Sequence, residues 1–155
     1  KDIDYKTINK LMEILNRRAK YNYFIEDEIE AGIVLKGTEI KSLRKGNADI
    51  KEAYAKIKDN EIYIINMYIA KYEASSLFNH DERRTRKLLM HKREINKLKE
   101  RVEQNGYTLI PLKVYVNDKA KILIGVGRGK KHYDKRATLK EKTINMEIKR
   151  KLGSA

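Results

Sequence analysis

Apolar positions alternate with polar ones along most of this chain, and only a few segments repeat them at helical spacing. Tyr21 to Leu35 reads as an extended run of aromatic and β-branched residues, with Gly32 marking a bulge or bend. Ala48 to Lys58 alternates through Ile50, Ala53, Ala55 and Ile57. Asp59-Asn60 supplies a turn, and Glu61 to Lys71 returns as a second strand, so the pair reads as a hairpin. Tyr107 to Val116 and Lys119 to Val126 form a second antiparallel pair around Asn117-Asp118, with the only proline, Pro111, at an edge or bulge position. Helical spacing governs three segments. Lys1 to Leu15 is loosely helical. Glu39 to Arg44 is a short helix with Thr38 as its N-cap and Gly46 as its stop. Lys92 to Gln104 is amphipathic, with Ile95, Leu98 and Val102 on one face and Asn105-Gly106 ending it. Arg86 to Met90 fits either helix or strand.

Short strands punctuated by turns, with few helices, predict a mainly β fold with flanking helices. A small closed β barrel is the architecture expected, and such barrels commonly bind oligonucleotides on one face. The chain divides into a lead-in over 1–15, a barrel over 16–128 and a basic tail over 129–155. The tail carries Leu139, Ile144, Met146, Ile148 and Leu152 in a weak helical pattern with charges between them. It has little to bury alone, so it is expected to be disordered when free and to fold on a partner.

Charge sharpens this outline. The 155 residues carry a net charge of +14. Two segments account for it: Arg83 to Arg101, with nine basic and two acidic residues, and Arg128 to Ala155, with ten basic and three acidic. Clustered charge of one sign is the electrostatic footprint of nucleic-acid binding. There is no cysteine, so disulfides, thiolate metal sites and thiol nucleophiles are excluded. No apolar run approaches the roughly 20 residues that span a bilayer. The first residue is Lys rather than Met, and no signal-peptide pattern follows it. A cytoplasmic monomer without membrane contact, metal or cofactor is expected.

The candidate chemistry is binding. Gly125, Gly127 and Gly129 stand at every second position, followed by Lys130, Lys131, Lys135 and Arg136. Glycine permits close approach of a backbone to another surface, and the adjoining cations suggest that this surface is a phosphate backbone. The alternative is a nuclease, with His80, Asp81 and His91 near Glu26, Asp27, Glu28 and Glu30. Residues 26–30 alternate sides on a strand and do not converge on one ion. Gly125 to Lys131 also lacks the lysine-Ser/Thr ending of a nucleotide-binding loop.

Several motifs occur in order: Asn16-Arg17-Arg18-Ala19, Tyr23-Phe24-Ile25, Glu30-Ala31-Gly32-Ile33, Gly37 to Arg44, Asn79-His80-Asp81, Arg84 to Leu89, Arg93-Glu94-Ile95, and Gly129-Lys130-Lys131 with Asp134-Lys135-Arg136. Over about Asn16 to Lys142 the chain resembles the SsrA-binding protein (small protein B) family of bacterial trans-translation. The resemblance implies an oligonucleotide-binding-like barrel that binds the tRNA-like domain of transfer-messenger RNA and delivers that RNA to stalled ribosomes. It also implies a tail that meets small-subunit RNA in the decoding centre and enters the messenger channel. The RNA-binding positions it carries across are Tyr23, Glu30, Leu89 and Lys121, with Asn16, Arg44 and Tyr54 in matching segments. The tail set is Gly129, Lys130, Lys131, Tyr133, Asp134, Lys135 and Arg136. Read from the residues alone, Leu89 favours the core, and Glu30 is either an acceptor for base or ribose groups or a partner that orients Lys121. Glu82 stands where the family usually has proline, which loosens the turn expected after Asn79-His80-Asp81. A generic ribosomal-RNA-binding factor with a barrel fold is the competing reading.

Overall fold

The computed structural model describes residues 12–73 and 79–153. In chain order the elements are β1 (Glu13–Leu15), α1 (Ala19–Asn22), β2 (Tyr23–Ile33), α2 (Gly37–Arg44), β3 (Ala48–Asp49), β4 (Tyr54–Lys58), β5 (Glu61–Ile65), β6 (Tyr68–Ile69), β7 (Arg86–Leu89), α3 (Lys92–Asn105), β8 (Thr108–Val116), β9 (Ala120–Gly129) and α4 (His132–Gly153). The fold is mainly β with helices around it. Seven strands pair in the order β1-β8-β4-β5-β7-β2-β9, and β8 also pairs with β9. All pairings in this sheet are antiparallel. A small second ladder joins β3 to β6.

Alternation along the strands decides what is buried. Ile62, Ile64, Leu88, Ile122, Ile124 and Val114 point inward and are fully covered. α3 closes one side with Ile95 and Leu98, each side chain contributing about 1.5–3 kcal/mol by leaving water. Leu43 on α2 closes another. The β4–β5 turn sets Asp59 and Asn60 at φ 51° and 61°, the paired left-handed conformation of a two-residue hairpin.

Several boundaries differ from the sequence expectations. Residues 13–15 of the lead-in are a strand on β8, joining the edge of that strand opposite β9; the rest of the expected helix, 1–11, lies outside the described residues. Ala48 to Lys58 and Glu61 to Lys71 each break into two strands, the first around buried Ile50 and the second where Asn66 takes φ 65°. The bulge in β2 falls at Glu26, not Gly32; Gly32 is regularly paired to both Leu89 and Lys121. Pro111 does mark a bulge, at Leu112, a position that tolerates a residue without an N–H. Arg86 to Leu89 is strand.

Thr38 is not the cap of α2. The helix starts at Gly37, and the Glu39 carboxylate accepts from the Lys36 N–H at 2.7 Å. Thr38 instead faces His80, with its Oγ1 2.8 Å from Nδ1, while the His80 Nε2 lies 2.9 Å from the Ile69 carbonyl. A carbonyl only accepts, so Nε2 donates to it and Nδ1 accepts from the Thr38 hydroxyl. Beside this pair the buried Glu39 carboxylate receives Arg86 Nε and, at 2.5 Å, Arg84. The motifs around Gly37, Asn79 and Arg84 therefore converge on one buried polar node. The turn after Asn79 forms without proline: the Arg83 N–H donates to Asp81 Oδ1 at 3.0 Å, and the Glu82 carbonyl accepts the Ile69 N–H at 2.9 Å.

β9 runs on through the glycines to Gly129, beyond the expected end at Val126. The close approach they permit is to the protein itself. A Cβ on Gly127 would stand 2.4 Å from the Phe24 carbonyl oxygen, and one on Gly125 would press on Leu112 at 3.0 Å. Both glycines are buried, so neither is a surface for phosphate.

Candidate nucleic-acid interface

Three of the predicted residues meet on the outer face of adjacent strands. Gly32 on β2 pairs with Leu89 on β7 and with Lys121 on β9, and Lys121 in turn pairs with Tyr115 on β8. Lys121 Nζ lies 3.1 Å from Glu30 Oε1. Leu89 points outward and is 56% exposed, contrary to the core placement that its apolar side chain favours. Strand alternation explains this: Leu88, its neighbour, takes the inward position. Gly32 makes room for the exposed side chain, since a Cβ there would touch Leu89 at 3.3 Å.

The Glu30 carboxyl titrates below its ordinary value, first because it hydrogen-bonds Tyr115 and then because it bonds Lys121. Partial burial and the Glu30 charge push the Tyr115 hydroxyl up to about 12. The acid is thus ionised and held by two neighbours at neutral pH. An exposed ion pair of this kind adds at most about 1 kcal/mol to stability, so its fixed geometry matters chiefly to what docks there. Tyr115 is a site residue that the motifs do not reveal. Its alternation with the buried Val114 and Val116 marks it as outward-facing, while its meeting with Lys121 comes from the ladder alone.

The remaining predicted residues lie apart from this cluster. Tyr54 is exposed on β4, separated from β7 by β5. Arg44 is exposed at the end of α2. Asn16 uses its side-chain amide to satisfy the Pro111 carbonyl at 3.0 Å, and its backbone N–H donates to the Leu112 carbonyl, so it holds the β8 bulge. Tyr23 sits at the far end of β2, opposite Gly129.

Tyr23 thereby belongs to a second cluster, where the tail leaves the sheet. The Lys130 N–H donates to the Asn22 carbonyl at 2.8 Å. The Lys130 ammonium lies 4.9 Å from the Phe24 ring centre and donates to Thr138 Oγ1 at 2.7 Å. Lys135 lies 5.8 Å from the Tyr21 ring centre. Asp134 accepts the Lys131 N–H at 3.2 Å and so caps the first turn of α4. Tyr133, 66% exposed, and Arg136 point to solvent. The tail expected to be disordered when free is a helix here, exposed nearly throughout. Tyr21, Phe24 and Thr138 are further members of this cluster that the sequence reading does not single out for binding.

The acids of the nuclease alternative are engaged elsewhere. The bulge turns Glu26, Asp27 and Glu28 all to the surface, where Arg128 holds Glu26 at 3.1 Å and Arg101 holds Asp27 at 3.0 Å. Among the described residues no three His, Asp or Glu side chains are grouped to hold a metal ion. No helix among them is long and apolar enough to cross a membrane.

Comparison with known proteins gives a consistent result. The family model described as SmpB protein matches residues 13–154. The SsrA-binding protein of Staphylococcus saprophyticus is 54% identical over 138 residues, covering 88% of this chain and 90% of its own length. That of Staphylococcus carnosus is 56% identical over 136 residues, 87% of each chain. A chain from the solved structure "tmRNA-SmpB: a journey to the center of the bacterial ribosome" superposes with a TM-score of 0.66 at 51% identity, covering 78% of this chain and 86% of that one.

Proposed function

The chain belongs to the SmpB protein family, and from that premise we propose that it binds the tRNA-like domain of transfer-messenger (SsrA) RNA and carries it to stalled ribosomes. The observation that carries this reading is the outer face where Glu30, Leu89 and Lys121 converge. An exposed leucine, a cation and an oriented carboxylate offer apolar contact, phosphate neutralisation and a hydrogen-bond acceptor within one patch. Tyr54 continues the outer surface two strands away; Arg44 and Asn16 act at its margins.

In the same reading the tail from Gly129 through Lys130, Lys131, Tyr133, Asp134, Lys135 and Arg136 engages small-subunit RNA in the vacant decoding centre. The exposed Tyr133 ring stacks on a base there. In the free protein the helix α4 frays, because it buries almost nothing. The body is a closed oligonucleotide-binding-like barrel over 16–128. The path β8-β4-β5-β7-β2-β9 returns to β8, which supports closure. The protein works as a cytoplasmic monomer and as a binder rather than an enzyme.

A competition experiment tests the reading. Wild-type protein is titrated with the labelled tRNA-like fragment against unlabelled bulk tRNA and ribosomal RNA fragments. Bulk tRNA should compete poorly, and Glu30→Ala should weaken binding with an unchanged thermal melt. Equal binding to all three RNAs would favour a general ribosomal-RNA binder instead.

A further inference from the structure

The outer face of β4 and β5 carries cations and an aromatic ring that no other described residue engages. Lys56 on β4 pairs with Tyr63 on β5, and Tyr63 pairs with Lys87 on β7. These three outward side chains stand in one row across three strands. Lys56 and Lys58 are exposed and have no ion pair or side-chain hydrogen bond among the described residues. Tyr68, Tyr72, Tyr107 and Tyr115 each have a lysine or arginine of the chain near the ring, whereas Tyr63 has none among the described residues. Beside it lies a hollow of about 390 Å³ lined by Lys56, Lys58, Asp59, Tyr63, Ile65 and Thr85. Glu61, the nearby acid on β5, is occupied by Lys87 at 3.6 Å and by Lys92.

We propose that this face is a second RNA-binding site, taking one unstacked nucleotide with its base on Tyr63 and its flanking phosphates on Lys56 and Lys58. A ring with no cation against it among the described residues, set among ammonium groups that make no ion pair there, suits a splayed base and its phosphates. The occupant is the same RNA that lies on the Glu30–Lys121 patch, because the two faces are continuous. Lys87 and Leu89 alternate outward on β7, so the Lys56-Tyr63-Lys87 row lies one strand repeat from the Leu89-Gly32-Lys121 row. This inference rests on the proposed binding of the tRNA-like domain and extends it around the sheet.

The test uses the full chain and the tRNA-like fragment, titrated over a range of salt concentrations, with bulk tRNA in parallel. The double variant Lys56→Gln with Lys58→Gln should lower the slope of log affinity against log salt by about 1.4–1.8, two phosphate contacts' worth. Tyr63→Leu should weaken binding on the order of tenfold with the slope unchanged. If both variants match wild type in affinity and slope, the second site does not exist. If the lysine variant loses affinity for ribosomes alone, the occupant is not this RNA and the proposal falls. Failure of the underlying reading shows separately, as wild type preferring neither RNA. The variant-minus-wild-type slope on either RNA still decides the face in that case. Should Tyr63→Leu lower the thermal melt, the lysine variant, whose changes are confined to the surface, decides the matter.

Discussion

Glu39 is the residue on which most of the buried polar structure depends. It is an acid with no exposed surface, bonded to Arg86, Arg84 and the N–H of Lys36. Burial pushes its carboxyl up, and the bonds from Arg84, Lys36 and Arg86 outweigh that and hold it below the usual 4.5. A lowered folded-state value means that the stabilisation is complete above the ordinary carboxylate range and is lost as pH falls through the folded value. Glu39→Gln should therefore cost about 3–5 kcal/mol at neutral pH, because it leaves Arg86 buried and uncompensated. Urea unfolding at pH 7 and again well below pH 4.5 checks this: the gap between wild type and variant should narrow in acid. A pH-independent gap would show that Glu39 acts by packing rather than by charge.

Among the elements, β9 has the most exacting sequence requirement. Gly127→Ala would drive a Cβ into the Phe24 carbonyl, whereas at Gly129 the nearest atom is Tyr23 Cε1 at 4.0 Å. The first substitution should destabilise by about 1–3 kcal/mol, each kcal/mol lowering the melting midpoint by about 2–4 °C at this chain length. Gly129→Ala should leave the melt unchanged. Thermal denaturation of both variants decides, and equal melts would mean that β2 and β9 yield at this seam. The same strand shows how much a sequence makes legible. The alternation at Lys121 to Ile124 is a local pattern and reads directly as strand. Gly127 does not reveal its role, because its packing partner, Phe24, lies about a hundred residues earlier in the chain. The hairpin around Asp59-Asn60 and the helix α3 are plain from turn chemistry and period. Leu89 reads as core because hydrophobicity does not encode which side of a strand faces out. Tyr115 stays hidden because its meaning comes only from Lys121 across the ladder.

For the molecule as a whole, charge is divided between a body that holds its shape through a covered core and a helix that hardly touches it. None of the described α4 residues is buried. Removing Lys130 onward should thus leave the thermal melt and the affinity for the tRNA-like fragment nearly intact. It should abolish tagging of peptides on stalled ribosomes in a reconstituted translation assay. Tagging by the truncated protein would overturn the role given to the tail. Lys121 and Gly129 are joined by an uninterrupted strand, paired on both sides over most of its length. At roughly 3.3 Å per residue the two are about 26 Å apart. Under the proposed function this strand is a ruler: it sets how far the probing end stands from the cargo. Its length is written as a residue count, so inserting or removing one residue would change the reach by a fixed step and turn the departing chain toward the opposite side of the sheet.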